Sequence, residues 1–135
     1  MPNSIQSQIR AQLQELARAP AVQGCALVEV ISGMVWHSAG PWEHMEQQAE
    51  AAVEFWRIQD RQAAHFEHLG NLRSSIYFFS AGSVALMPCP GRTPLVLVCI
   101  ADRVGMDWGQ WMQQLKPLHQ LLLLDDQATS GAPLS

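Results

Sequence analysis

Apolar and polar positions alternate along the chain with two different periods, and the switches between them mark out eight elements. Ile5, Ile9, Leu13 and Leu16 recur at helical spacing with glutamines between them, which predicts an amphipathic helix over residues 4–18. Asn3 or Ser4 can cap its start, and Pro20 marks its stop. Residues 22–31 are β-branched and almost continuously apolar, the pattern of a strand buried on both faces. Ser32-Gly33 can turn a hairpin into a return strand over residues 34–38. Ala39-Gly40-Pro41 then opens a long helix over residues 41–69, with Pro41 in its first turn, Glu43 and Glu46 near its N-terminal dipole, and Gly70-Asn71 at its end.

The remaining half reads as a meander followed by a helix. Ser74, Ile76 and Phe78 alternate against Arg73, Ser75, Tyr77 and Phe79 in a strand over residues 72–80. Ala81-Gly82 turns it into a second strand, 83–87. A loop over residues 88–94 follows, whose three prolines keep it out of any ladder. Residues 95–101 carry no polar alternation and belong at the centre of a sheet. The last helix spans residues 106–123 with Trp108, Trp111, Met112, Leu115 and Leu122 on its apolar side. Pro117, which offers no N–H to the Gln113 carbonyl, should kink or split it. Residues 125–135 read as a loose tail, so the domain is expected to span residues 1–124.

The fold class expected from this order is α/β in the α+β sense. Helices flank a five-stranded, mainly antiparallel sheet with the 22–31 and 95–101 strands at its centre. Two features then stand out. The long helix has two apolar faces, because about 100° per residue places Met45, Ala49, Ala52, Val53, Trp56 and Ala63 on one side. Phe55, Ile58, Phe66 and Leu69 fall on the other. The strand that follows is left at a sheet edge and carries Ile76, Tyr77, Phe78 and Phe79 with Arg73 as its one charge, a poorly defended edge. One two-fold contact would cover both.

Composition sharpens that reading. Of 135 residues, 48% are hydrophobic and 15% charged, enough for one core and a low charge density for a fully exposed surface. The net charge is −4 and the basic residues are scattered, which argues against a nucleic-acid partner. The apolar runs fall short of the ~20 residues a membrane span needs. No basic segment followed by an apolar one opens the chain. Cys25 and Cys99 sit in apolar runs and read as core residues of a reducing compartment. Together these predict a soluble cytoplasmic protein.

With these pieces in place, the chain resembles the Roadblock/dynein light chain family, of longin- or profilin-like fold. The resemblance covers residues 4–124 and rests on a few pieces. They are Val22-Gln23-Gly24-Cys25-Ala26-Leu27-Val28, the hairpin Ser32-Gly33-Met34-Val35, the alanine-rich helix at 49–52, Gly82-Ser83-Val84-Ala85-Leu86-Met87-Pro88 and Leu95-Val96-Leu97-Val98-Cys99-Ile100-Ala101. Ser32, where an aspartate is common, and Pro117 depart from the pattern. The resemblance implies a homodimer joined through the second helix and the third strand. Phe55, Ile58, Gln62, Phe66, Leu69, Leu72, Ile76 and Phe78 are then its expected contacts. It also implies a binding platform for a small Ras-like GTPase or a larger signalling or motility complex. Some bacterial members stimulate such a GTPase without supplying its catalytic arginine. A small-molecule sensor, with a cavity lined by Trp108 or Trp111, is the alternative.

Candidate chemistry is sparse. His65 and His68 are spaced to share a metal but lack a third ligand, so a solvated helix end is the better reading. His37, His44 and His119 are isolated. Cys89, between two prolines, reads as the most exposed thiol but has no neighbouring base. Asp125-Asp126 reads as a solvated helix end. No phosphate-cradling glycine motif occurs. No enzyme activity, metal or cofactor is expected.

Overall fold

The computed structural model describes residues 4–130; Asn3 and residues 131–135 of the expected tail lie outside them. Helix α1 (Ile5–Leu16) starts where Ser4 Oγ accepts from the Ser7 N–H at 3.1 Å, and it buries Ile9, Leu13 and Leu16. Strands β1 (Val22–Glu29) and β2 (Val35–Ala39) form the hairpin. Helix α2 (Met45–Arg61) and a 3₁₀ segment (Ala63–Leu69) lead to β3 (Ser75–Phe78), β4 (Gly82–Cys89) and β5 (Leu95–Asp102). Helices α3 (Trp108–Gln113) and α4 (Lys116–Ser130) close the fold.

Among the described residues the sheet has five strands in the order β2-β1-β5-β4-β3, each antiparallel to its neighbours. The two apolar runs without alternation, β1 and β5, are central as their pattern requires, because helices cover both faces. On one face Cys25, Leu27, Leu97 and Cys99 pack against α1, α3 and α4. On the other, Ala26, Val28, Val96 and Val98 pack beneath Met45, Ala49, Ala52, Val53 and Trp56 of α2. The chain thus makes three layers with two separate cores. Gly40 sets the entry to α2: its φ is +105°, and a Cβ there would stand 2.7 Å from the Gly24 Cα.

The structure corrects several expectations. The long helix does not run from Pro41 to Leu69. Residues 41–44 form a turn held by the Trp42 N–H on the Gln23 carbonyl at 3.0 Å, and the α-helix stops at Arg61. At 17 residues α2 is about 26 Å long, and an eight-residue strand such as β4 spans about the same. Beyond Arg61 the chain has run off the sheet, and no residue from Ala63 to Leu69 is buried. β3 is four residues rather than nine. β4 continues through Pro88 and Cys89, which pair with Val96 and Leu95. A proline is tolerated there because the β3 pairing has already ended at Leu86, so that part of β4 is an edge.

The last helix is split rather than kinked. Asp107 caps α3 by accepting from the Gln110 N–H at 3.1 Å, and Pro117 lies in the first turn of α4, where its missing N–H costs nothing. α4 then runs past the expected limit at Leu124 to Ser130. Asp125 and Asp126 are therefore half-buried inside α4. Asp125 accepts from Gln6 Nε2 at 3.2 Å, and Asp126 accepts from the Arg92 N–H at 2.8 Å.

Candidate association face

The exposed apolar side chains gather where α2 ends, the 3₁₀ segment turns, and the chain enters β3. Ile58, Gln62, Phe66, Leu69 and Leu72 line one open groove with Trp56 at its base, about 820 Å³ in volume. Leu69 is 72% exposed and Phe66 56%. Phe66 sits at a kink with φ −123°, so the groove is built by the helix ending rather than by one continuous helical ridge. Phe55 lies beside the groove, 37% exposed, with its ring centroid 4.9 Å from that of Tyr77.

Tyr77, which is not among the eight expected contacts, meets α2 from β3 together with Ser75. Gln59 Nε2 donates to Tyr77 Oη, and Ser75 Oγ donates to Gln59 Oε1 at 2.6 Å. These part-buried bonds tie β3 down on α2. Ile76 and Phe78 turn the other way. Ile76 opposes Ala85 and is packed, half-buried, into the core under α1, α3 and α4; Phe78 opposes Ser83 on the same face and is 77% exposed. The eight expected contact residues therefore divide between the two faces of the edge strand. The alternation placed Tyr77 opposite Ile76; what it lacked was which side α2 would cover. Gln59 carried no signal, because a glutamine on a helix is ordinary until its partner is known.

Several residues away from the groove have structural roles. Trp111 is buried, donates Nε1–H to the Leu16 carbonyl at 3.1 Å and meets Trp108 edge-on at 5.7 Å, so this pair packs the core and lines no part of the groove. Arg57 donates to the Val30 carbonyl at 2.7 Å and the Ile31 carbonyl at 3.2 Å, holding the hairpin against α2. Cys89 is only half-buried by area, yet its thiol is packed against the core and pushed up to about 12 by burial, so it is no open nucleophile. His65 and His68 are exposed, and no group of three metal-ligating side chains assembles among the described residues. His37 and His119 are half-buried, and burial holds both below the ordinary histidine value, with Arg10 adding to it at His37. No described helix is long and apolar enough to cross a membrane.

No family model matches the chain and no curated protein sequence matches it. Solved structures do. Myxococcus xanthus MglB superposes with a TM-score of 0.69 at 16% identity, covering 95% of this chain and 94% of that one. A Roadblock/LC7 domain from Streptomyces avermitilis gives 0.65 at 16% identity, over 84% and 90%. The gliding protein MglB from Thermus thermophilus gives 0.68 at 12% identity, over 90% and 93%. At this identity the likeness is one of fold, and the chain has the Roadblock/LC7 fold.

Proposed function

We propose that this chain is a homodimer, joined through α2, the groove and the β3 edge, that serves as a non-enzymatic adaptor or regulator of a small Ras-like GTPase. The observation that carries the dimer is the adjacency of two incomplete surfaces. β3 pairs on one side only, and the apolar groove opens directly beside it. A second copy related by a two-fold axis presents the same edge and the same groove to the first. Phe66, Leu69 and Ile58 are 56%, 72% and 52% exposed, so covering what remains of each contributes roughly 1–2 kcal/mol. Several of these per subunit offset an association cost of roughly 4–15 kcal/mol. The fold is shared with MglB, and one solved MglB is described as having a tetrameric arrangement, which favours self-association here as well. The GTPase as partner follows from the resemblance in the residues and the fold.

Light scattering coupled to size exclusion tests the dimer: at micromolar concentration the expected mass is twice the chain's, and a monomer would sink the reading. For the role, immobilised protein should retain a Ras-like GTPase loaded with a non-hydrolysable GTP analogue and release the GDP form. Equal retention of both forms argues for a passive scaffold.

A further inference from the structure

The two central strands bring two thiols face to face. In the β1–β5 register Cys25 lies directly opposite Cys99. The Val30 N–H donates to the Pro94 carbonyl at 2.9 Å, which starts the ladder with a hydrogen-bonded pair. Such pairs alternate with non-hydrogen-bonded ones in antiparallel strands. Stepping by two, Val28/Val96, Ala26/Val98 and Gly24/Ile100 are hydrogen-bonded, and Cys25/Cys99 falls in the other class. The Glu29 N–H, which bonds to the Met34 carbonyl of the hairpin instead, agrees with this phase. Opposed residues of the non-hydrogen-bonded class have Cα atoms about 4.5 Å apart and their side chains closer than in the other class. A disulfide spans Cα separations of roughly 4.4–6.8 Å. Both thiols are free, both belong to the same core and neither has any solvent exposure. α1 lies over them: Cys25 Sγ donates to the Leu13 carbonyl at 3.5 Å.

We infer that Cys25 and Cys99 are a paired dithiol that closes a cross-strand disulfide between β1 and β5, with hydrogen peroxide as oxidant. One thiolate attacks a peroxide oxygen; the O–O bond breaks, hydroxide leaves and is protonated to water, and a sulfenic acid remains. The second sulfur attacks that sulfenic sulfur, the S–O bond breaks, and a second water leaves with the second thiol's proton. Two thiols are oxidised by two electrons, and one peroxide is reduced to two waters. Burial pushes Cys25 up to about 12 and raises Cys99 too, with Cys25 beside it adding to the shift. The closed fold therefore keeps both thiols protonated, and the reaction proceeds through openings of α1 at Leu13. Cys89 has no such partner, since it opposes Leu95.

The test uses the full chain with Cys89→Ser, kept folded, treated with hydrogen peroxide, then denatured, blocked with N-ethylmaleimide and mapped by mass spectrometry. The expected result is a loss of about 2 mass units, no maleimide uptake, and one linked peptide pair containing residues 25 and 99 at monomer mass. Leu13→Ala should speed the closure several-fold. Two blocked thiols after treatment, unlinked sulfinic acids, or links only between chains would each overturn the proposal. If Cys89→Ser fails to fold, the same mapping on the wild-type chain decides it, with a link to Cys89 as the overturning outcome.

Discussion

The sheet has two outer strands, and they are built in opposite ways. β2 is bound on every side chain that has a polar group. Trp36 Nε1 donates to Glu29 at 2.8 Å, His37 Nε2 meets Gln6 of α1 at 2.8 Å, and Ser38 Oγ donates to Glu46 of α2 at 3.1 Å. Its register against β1 shifts between Leu27 and Val28, leaving Trp36 as an extra residue, and all five of its residues are half-buried. β3 has four residues, one tie to α2 through Gln59, and the exposed rings of Phe78 and Phe79 at its end. Neither strand carries a charged residue. The difference shows that an edge is closed by bulges and by helices packed along it as much as by charge. One outer strand is tied by its side chains to α1 and α2, and the other keeps two phenylalanine rings exposed at its end.

The open edge should respond most strongly to substitution. Replacing Ile58 and Phe66 with Asp should move the dimer to monomer, weakening association more than a hundredfold by sedimentation analysis. Met34→Asp, on the exposed hairpin beside β2, should leave the mass unchanged. If the two changes behave alike, the edges do not differ as described. Next in size, Gln59→Leu leaves Tyr77 Oη and Ser75 Oγ without their partner. We expect a loss of about 1–3 kcal/mol in urea unfolding and a dimer weakened about tenfold, because the edge strand is no longer held on α2.

Trp36→Phe removes the bond to Glu29 and should cost about 1 kcal/mol, with dimer mass unchanged. A shift in the association constant would show that the two edges communicate. The smallest effect comes with pH. His37 sits below its ordinary value because burial, then Arg10, disfavours its charged form. Its Nδ1 is buried without a partner. The unfolded chain therefore binds the proton more readily, and stability contributed here is present above about pH 6.5 and is lost as pH falls below it. His119 acts in the same direction. The melting temperature should drop between pH 7 and 5, and His37→Gln should flatten that slope. A wild-type curve without slope in this window would contradict the burial of both rings.

Much of this was legible along the chain because it depends on neighbours three, four or two residues away. Helical spacing located α1 and the buried stripe of α2, and the unbroken apolar runs picked out β1 and β5 as the centre. The exposure of Phe55 and Ile58 on the second side of α2 and the edge position of the following strand also followed from pattern and short connections, whereas Phe66 and Leu69 are exposed beyond the end of α2. What pattern did not supply was length and side. α2 ends at Arg61 because the sheet beneath it ends, although Ala63 and Ala64 favour a helix. Pro88 stays in β4 because β3 stops short of it. Tyr77 rather than Ile76 meets the helix because the pleat's phase against α2 is chosen by the β4 register. Periodicity is a property of the strand or helix alone. Where each one stops, and which of its faces is covered, depends on the size and position of what packs against it, and those quantities exist only once the layers are assembled.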